Sequence, residues 1–160
     1  MISFPDDTAS RAASRGLALV RLTLGAMFLW VFFENYGKGL YTPSGYAGLI
    51  QVYIDKGHAP GVWKMVMAQM AANAAIAAPL QALTELSFGV LLTIGALTRP
   101  VALGAGLFLA SLWMSEWGTA WIWELLVPTL AAFALVIGRA GRAWGIDGAL
   151  ARRTPHSPLW

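Results

Sequence analysis

Four segments of this chain are long enough and apolar enough to cross a membrane as helices. They cover residues 16–33, 79–97, 100–117 and 121–138. A helix rises about 1.5 Å per residue, so each segment extends about 27 Å, close to the roughly 30 Å hydrocarbon core of a bilayer. Because lipid offers no hydrogen bonds to the backbone, we predict an all-α fold. The expected architecture is an integral membrane four-helix bundle formed by residues 1–160 as one domain.

The composition excludes other classes of protein. Apolar residues make up 58% of the chain and charged residues only 12%. A soluble domain carries about 25% charged residues, so half of the usual charge is missing. Neither a disordered chain nor a nucleic-acid-binding surface fits that deficit, although the isoelectric point is about 9.6. The bilayer is therefore the first predicted partner, and no nucleic acid is expected.

The positions of the basic residues predict the orientation. Three lysines fall on one side of the predicted membrane: Lys38, Lys56 and Lys64. The arginines all fall on the other side: Arg11, Arg15, Arg21, Arg99, Arg139, Arg142, Arg152 and Arg153. Cytoplasmic segments carry the excess of Lys and Arg, so both termini are predicted to lie in the cytoplasm, with the protein in the inner membrane. Arg21 is expected to extend toward the cytoplasmic headgroups.

Residues 39–78 form the predicted outer region. Residues 41–60 are expected to be a loop with turn-forming residues at both ends. Residues 62–78 are rich in Ala and Met and predict a helix that lies along the outer interface or leans against the bundle. Pro79 is expected to separate this helix from the second span. Its predicted apolar face consists of Trp63, Met67, Met70 and Ala74. Residues 139–160 are predicted to form a basic cytoplasmic tail that attracts anionic lipid.

Ionisable residues near the outer ends of the apolar segments are the candidate catalytic residues, because charge inside a membrane is costly and is usually functional. Glu85 lies six residues beyond Pro79, and Glu124 lies three residues into the fourth segment. Glu34 and Lys38 close the first segment, one helical turn apart. These four groups lie at similar depth, and helix rotation decides whether they share a pocket. A structural ion pair between Glu85 and Lys38 is the alternative to binding or proton transfer.

Tryptophans cluster at the same end. Trp113, Trp117, Trp121 and Trp123 bracket the outer turn between the third and fourth segments. An interfacial aromatic belt explains this pattern. The alternative is an apolar wall for a quinone ring, with Trp30 and Trp113 expected to face inward.

Cysteine is absent, and neither His58 nor His156 lies in an apolar segment. Disulfides, thiolate-bound iron–sulfur clusters and a bis-histidine haem inside the membrane are thereby excluded, and no metal site is predicted. Any redox chemistry must use a diffusible cofactor or a group held by a partner.

Several short motifs occur in an order that resembles a known family. They are RLTLG at 21–25, Gly37-Lys38, ELSFG at 85–89, GALTRP at 95–100 and GIDGAL at 145–150. Over roughly residues 15–150 the chain resembles the DoxX/DoxD superfamily of small four-helix membrane proteins. It is most similar to the DoxD-like branch, which includes the small subunit of thiosulfate:quinone oxidoreductase.

The resemblance implies quinone-linked oxidoreduction, in which thiosulfate is oxidised to tetrathionate with the help of a second subunit. The family's recurring Lys and Glu correspond to Lys38 and Glu85. We therefore take Glu85, Lys38 and Glu124 as candidate catalytic residues. The candidate quinone- or substrate-binding residues are Glu34, Trp30, Trp113, Trp121 and Trp123. Two alternatives remain open: a non-catalytic accessory subunit of a larger respiratory or photosynthetic complex, and an oligomeric permease.

Overall fold

The computed structural model describes residues 7–154, 157 and 159, so His156 lies outside the described residues. Within this part of the chain the fold is all-α, as predicted, with seven α-helices, one 3₁₀ turn and no strand. The helices are α1 (Asp7–Gly37), α2 (Pro43–Lys56), α3 (Gly61–Ala72), α4 (Ala74–Ile94), α5 (Thr98–Ser115), α6 (Ile122–Gly138) and α7 (Ile146–Arg153). The 3₁₀ turn, Ala140–Arg142, connects α6 to α7.

Two helices are long and apolar enough to span a membrane. They cover Thr8–Gly37 within α1 and Ala74–Ile94, which is the whole of α4. The helix α6 is also apolar but only 17 residues long. At about 1.5 Å per residue, α4 extends roughly 32 Å, which matches the hydrocarbon thickness of a bilayer.

The main core lies where α1, α4, α5 and α6 pack together. Its buried residues come from all four helices and the 3₁₀ turn: Leu24, Phe28, Leu92, Val101, Ala102, Ala105, Leu109, Ala132, Leu135 and Ala140. Small residues on α5 allow α6 to approach closely. A Cβ atom on Gly106 would lie 3.1 Å from two ring carbons of Phe133, so this glycine provides the space for that ring.

A second core joins α2 and α3 to α4. Its buried residues are Tyr46, Ile50, Ala59, Met67, Ala74 and Ala78. The helix α2 occupies most of the 41–60 segment, for which a loop was predicted. Thr42 caps it by accepting the Gly45 N–H at 3.1 Å, and Pro43 occupies the first turn. The turn residues therefore mark the two ends of a helix, and they do not extend through the segment.

The chain breaks between α3 and α4 at Asn73 and not at Pro79, which lies inside α4. Asn73 satisfies backbone groups on both sides of the break. Its side-chain amide donates to the Gln69 carbonyl at 2.8 Å, and its own carbonyl accepts the N–H groups of Ile76 and Ala77. Of the predicted α3 face, Met67 is buried and Trp63 packs against the second core, whereas Met70 is 38% exposed.

The α4–α5 turn is held by a carboxylate from α7. Asp147 is completely buried, and its two oxygens accept the backbone N–H groups of Leu97 at 2.7 Å and Thr98 at 2.8 Å. The Asp147 N–H donates to the Gly95 carbonyl at 2.9 Å. Because Leu97 precedes α5 and has no capping side chain, Asp147 supplies from a distant position the anion that a helix N-terminus favours.

Arg21 is buried beside this turn, and the expectation that it extends to the headgroups is wrong. Its side chain is 0% exposed, and Nη2 donates to the Trp144 carbonyl at 2.9 Å. The guanidinium fills the space that Cβ atoms would need at Gly95 and Gly145, and it is attracted to Asp147. The predicted tail is therefore folded back onto the helices at least as far as α7.

We expect Asp147→Ala to lower the free energy of unfolding by roughly 2–4 kcal/mol, because two backbone N–H groups, one of them buried, lose a charged acceptor. Denaturant unfolding in a single detergent measures this loss. The control is Asp55→Ala, since Asp55 is exposed and its side chain accepts from the neighbouring Gln51, and we expect a change within about 0.5 kcal/mol. Equal losses in the two variants would contradict the role given to Asp147.

Candidate functional site

At the opposite end of the helices from α7, the side chain of Glu85 is almost completely enclosed. It lies on α4 and is 1% exposed. One carboxylate oxygen, Oε2, accepts the Tyr41 hydroxyl at 2.5 Å and the Asn35 Nδ2 at 3.3 Å. The other, Oε1, accepts the Gln81 Nε2 at 2.8 Å. A phenol and two amides thus satisfy a buried carboxylate, as burial of a charge requires.

Local structure positions each of these donors. Gln81 precedes Glu85 by one helical turn and lies on the same face of α4. Asn35 lies near the end of α1, and the chain then turns through Gly39, whose φ is +70°. Backbone hydrogen bonds close this turn, including that from the Leu40 N–H to the Asn35 carbonyl at 3.0 Å. The turn brings Tyr41 back over Glu85.

Glu85 lines a cavity of about 370 Å³ that we call the polar cavity. Its apolar wall consists of Met27, Phe28, Val31, Leu40, Leu49, Phe108, Leu109, Leu112 and Leu125. Its polar lining consists of Asn35, Lys38, Tyr53, Gln81, Glu85, Glu116 and Glu124. Mostly apolar walls with a few convergent polar groups are typical of sites for small organic ligands.

A second carboxylate also lines the polar cavity. Glu116 follows α5 and accepts the Tyr53 hydroxyl at 2.8 Å. Glu124, from the first turn of α6, lines the same cavity but has an exposed side chain. The two cores are joined here, since the Trp63 Nε1 donates to the Ser115 Oγ at 2.9 Å and the His58 N–H to the Trp117 carbonyl at 2.6 Å.

Lys38 lines the polar cavity but does not pair with Glu85. Its Nζ contacts the Glu34 Oε1 at 2.5 Å, one turn earlier on the chain, and both side chains are about half exposed. The predicted structural ion pair between Lys38 and Glu85 is therefore replaced by a pair at the surface. The structure brings Lys38, Glu85 and Glu124 to one cavity and places Glu34 outside it.

None of the candidate tryptophans lies in the lining of the polar cavity. Trp30 is 74% exposed, so the expectation that it faces inward is wrong. Trp121 and Trp123 are also largely exposed, and Trp113 is partly so. The inner aromatic surface consists instead of Phe28, Phe88 and Phe108, whose ring centroids lie 5.3–6.3 Å apart. Substrate binding by the tryptophans stays a prediction.

Sequence reasoning missed Tyr41, Asn35, Gln81, Tyr53 and Glu116. The spacing of Gln81 and Glu85 was a usable signal, because residues four apart share a helix face. The polar Asn35 at the end of an apolar segment was a weaker signal. Tyr41 and Tyr53 reach the carboxylates through tertiary contacts between distant segments, which no local pattern indicates.

Comparisons of the chain with family models, curated proteins and solved structures gave no match. The sequence contains no cysteine, and the residues that the structure describes include no cluster of His, Asp and Glu able to hold a metal ion. What the site offers is a carboxylate, a phenol in contact with it and an apolar wall. These groups can orient an uncharged ring and hold or transfer a proton.

Burial raises the pKa of the Tyr41 hydroxyl above its ordinary value of 10.0, and the hydrogen bond to Glu85 and the charge of that carboxylate raise it further. Burial likewise raises the pKa of Tyr53, next to Glu116. Both phenols therefore remain hydrogen-bond donors at pH values where an ordinary tyrosine ionises.

Tyr41→Phe tests this shift by ultraviolet titration of tyrosinate. At about pH 10.5, just above the ordinary tyrosine pKa, wild type and variant should absorb equally, because Tyr41 is still protonated in the folded protein. Since the unfolded chain loses this proton first, stability should fall as the pH rises above about 10, and less steeply in the variant. If the variant shows one tyrosinate fewer than wild type at pH 10.5, Tyr41 is already ionised in the folded wild-type protein. That result would contradict the buried environment assigned to Tyr41.

Proposed function

We propose that this chain is a membrane subunit of a quinone-linked oxidoreductase. In this proposal α1, α4, α5 and α6 cross the inner membrane, both termini are cytoplasmic, and the quinone ring binds in the polar cavity. The observation that carries the proposal is the enclosed Glu85 carboxylate, which is hydrogen-bonded to Tyr41 and lines the polar cavity of about 370 Å³.

Exposed apolar side chains support the membrane placement. On the outward faces of α4 and α6, Leu80, Leu83, Leu130 and Ile137 are each more than half exposed. A water-soluble monomer rarely shows such extended apolar faces, whereas lipid tails cover them without cost. The segregation of Arg and Lys along the sequence supports the proposed orientation. In this arrangement α2 and α3 lie on the outer side.

The polar cavity suits a quinone ring in size and chemistry. Its volume falls within the roughly 300–1,000 Å³ typical of small-molecule sites. Phe28 and Phe108 provide apolar lining, and Glu85 provides a carboxylate in the same cavity. When bound, a quinone would accept two electrons and two protons. Asn35 and Gln81 fix the orientation of the Glu85 carboxylate, so that Glu85 and Tyr41 can hold and pass a proton at Oε2.

The electrons must come from outside this chain. The resemblance to the small subunit of thiosulfate:quinone oxidoreductase suggests that two thiosulfate ions lose one electron each as they join to form tetrathionate. A second subunit facing the outer side is the proposed site of this oxidation. Lys38 is placed to attract an anion there, because it lies at the margin of the polar cavity and is 58% exposed.

A second candidate function is that of a non-catalytic subunit within a larger membrane complex. It is favoured by an exposed aromatic stripe near the end of α1, where Trp30, Phe33 and Tyr36 are 74%, 65% and 70% exposed. Residues three apart lie on one helix face, so these rings present a continuous surface to a partner helix. A membrane-interface belt uses the same residue types.

Purification from native membranes in a gentle detergent separates the two candidates. Mass spectrometry would identify every co-eluting chain and lipid. Bound quinone together with one small outer subunit supports the oxidoreductase, and thiosulfate-dependent quinone reduction is then assayed. Recovery only within a large haem- or pigment-containing assembly, without a quinone of its own, would support the accessory role.

For the oxidoreductase we expect Glu85→Gln to lower quinone reduction by about 100-fold or more, because the group that transfers the proton is lost. Glutamine keeps the shape of the side chain, so co-elution with the partner should be unchanged. The control Asp55→Asn makes the same chemical change at an exposed residue outside the polar cavity. Full turnover in Glu85→Gln would show that Glu85 is only a structural charge.

A further inference from the structure

A second opening, which we call the lateral groove, lies between α3 and α4. It has a volume of about 520 Å³. Its lining residues are Tyr46, Val66, Gln69, Met70, Asn73, Ile76, Ala77, Leu80, Gln81, Thr84 and Phe108. The groove opens on the side where Ile76 and Leu80 are 70% and 59% exposed, which is the lipid-facing side in the proposed membrane placement.

The polar residues of the lateral groove present little polarity to it. The Asn73 amide donates to the Gln69 carbonyl, and the Thr84 hydroxyl donates to the Leu80 carbonyl at 2.8 Å. Gln81 donates to Glu85. Because these donors are bonded within the protein and Gln69 is exposed at the surface, the walls of the groove are mainly apolar.

A smaller cavity of about 130 Å³ shares lining residues with both the lateral groove and the polar cavity. Gln81 and Phe108 line all three spaces. Tyr46 lines the groove and the small cavity, and Leu112 lines the small cavity and the polar cavity. The three spaces therefore lie side by side, from the lipid-facing opening to Glu85.

Tyr46 supplies an unsatisfied donor at this junction. Its side chain is 1% exposed, and its hydroxyl has no hydrogen-bond partner among the described residues. Burial and the charge of Glu85 raise its pKa, so the hydroxyl stays protonated. A buried hydroxyl without an acceptor is unfavourable, and a ligand oxygen at the junction would relieve this.

We infer that the lateral groove binds the hydrocarbon tail of a quinone whose ring lies in the polar cavity, and that one oxygen of the ring reaches the adjoining small cavity, where the Tyr46 hydroxyl donates to it. This inference rests on the proposed function and specifies its ligand as a long-tailed quinone. A tail seated between α3 and α4 remains continuous with the bilayer, so the ligand enters sideways from the membrane.

Binding of paired quinones to the purified protein in nanodiscs tests the groove. The probes are tail-free and isoprenoid-tailed forms of one ring, in both the benzoquinone and naphthoquinone series. The affinity for each probe is measured by quenching of tryptophan fluorescence. Ala77→Phe fills the groove, and Ala75→Phe makes the same change at an exposed position of α4 outside it. We expect Ala77→Phe to weaken binding of the tailed form by about tenfold or more. Tail-free binding should be unchanged, as should both affinities in Ala75→Phe.

The outcomes separate this inference from the proposed function. If wild type binds both forms and Ala77→Phe weakens them equally or not at all, the inference is overturned while the proposed function stands. If wild type binds neither form, the proposed function fails and the inference with it.

A photoreactive group on the quinone tail tests the same point in the wild-type protein, should Ala77→Phe not fold. Labelling of Val66, Met70 or Leu80 supports the inference, and labelling confined to other helices overturns it. If a photoreactive phospholipid labels these residues and excess tailed quinone does not displace it, the groove is a lipid site and the inference is wrong.

Tyr46→Phe tests the hydroxyl. Because the variant removes an unsatisfied buried group, the ligand-free protein should be at least as thermally stable as wild type. Binding of both quinone forms should nevertheless weaken by roughly fivefold to tenfold, the effect of one lost hydrogen bond. If Tyr46 were purely structural, the variant would not combine unchanged or higher stability with weaker quinone binding. Unchanged quinone affinity in Tyr46→Phe would overturn the contact assigned to the hydroxyl.

Discussion

A carboxylate buried among apolar helices has to be surrounded by donors, and this requirement organises both ends of the molecule. At one end Asp147 accepts two backbone N–H groups at the start of α5 and thereby fixes the α4–α5 turn. At the other end Glu85 accepts a phenol and two side-chain amides. Removing either set of donors would leave a buried charge without compensation, so the turns and loops that carry them are positioned by electrostatics as much as by apolar packing.

The two carboxylates differ in the donors they use, and this difference suggests different roles. Asp147 is bonded to rigid backbone groups of a helix start, which hold it in one position. Glu85 is bonded to side chains, one of which, Tyr41, lies in a turn outside any helix. Side-chain donors can move away while the backbone stays in place. A ligand can therefore replace one of the partners of Glu85 without unfolding the helices, whereas nothing can easily replace those of Asp147.

The apolar pattern of the sequence predicted the helices well, because long apolar segments have few other ways to fold. The helix α6, Ile122–Gly138, starts one residue after its predicted segment and ends with it, and α5 is displaced by two residues at each end. The pattern failed for α2, where Gly and Pro at the ends suggested a loop. It also failed at Pro79, because the second core and the hydrogen bonds of Asn73 favour a break six residues earlier.

The candidate site was predictable only in part, for a physical reason. A charged residue in or beside an apolar segment is visible in the sequence, but whether several of them meet is not. Of the four candidates, Lys38, Glu85 and Glu124 line one cavity and Glu34 does not. The donors that hydrogen-bond to such a carboxylate come from segments that only the fold brings close. Tyr41 and Tyr53 therefore could not be identified from the sequence. The sequence could not decide the position of the tryptophan rings, because an aromatic belt and an aromatic wall have the same composition. Burial separates the two, since Phe28 is buried and Phe108 partly buried inside the protein, whereas Trp30 is 74% exposed.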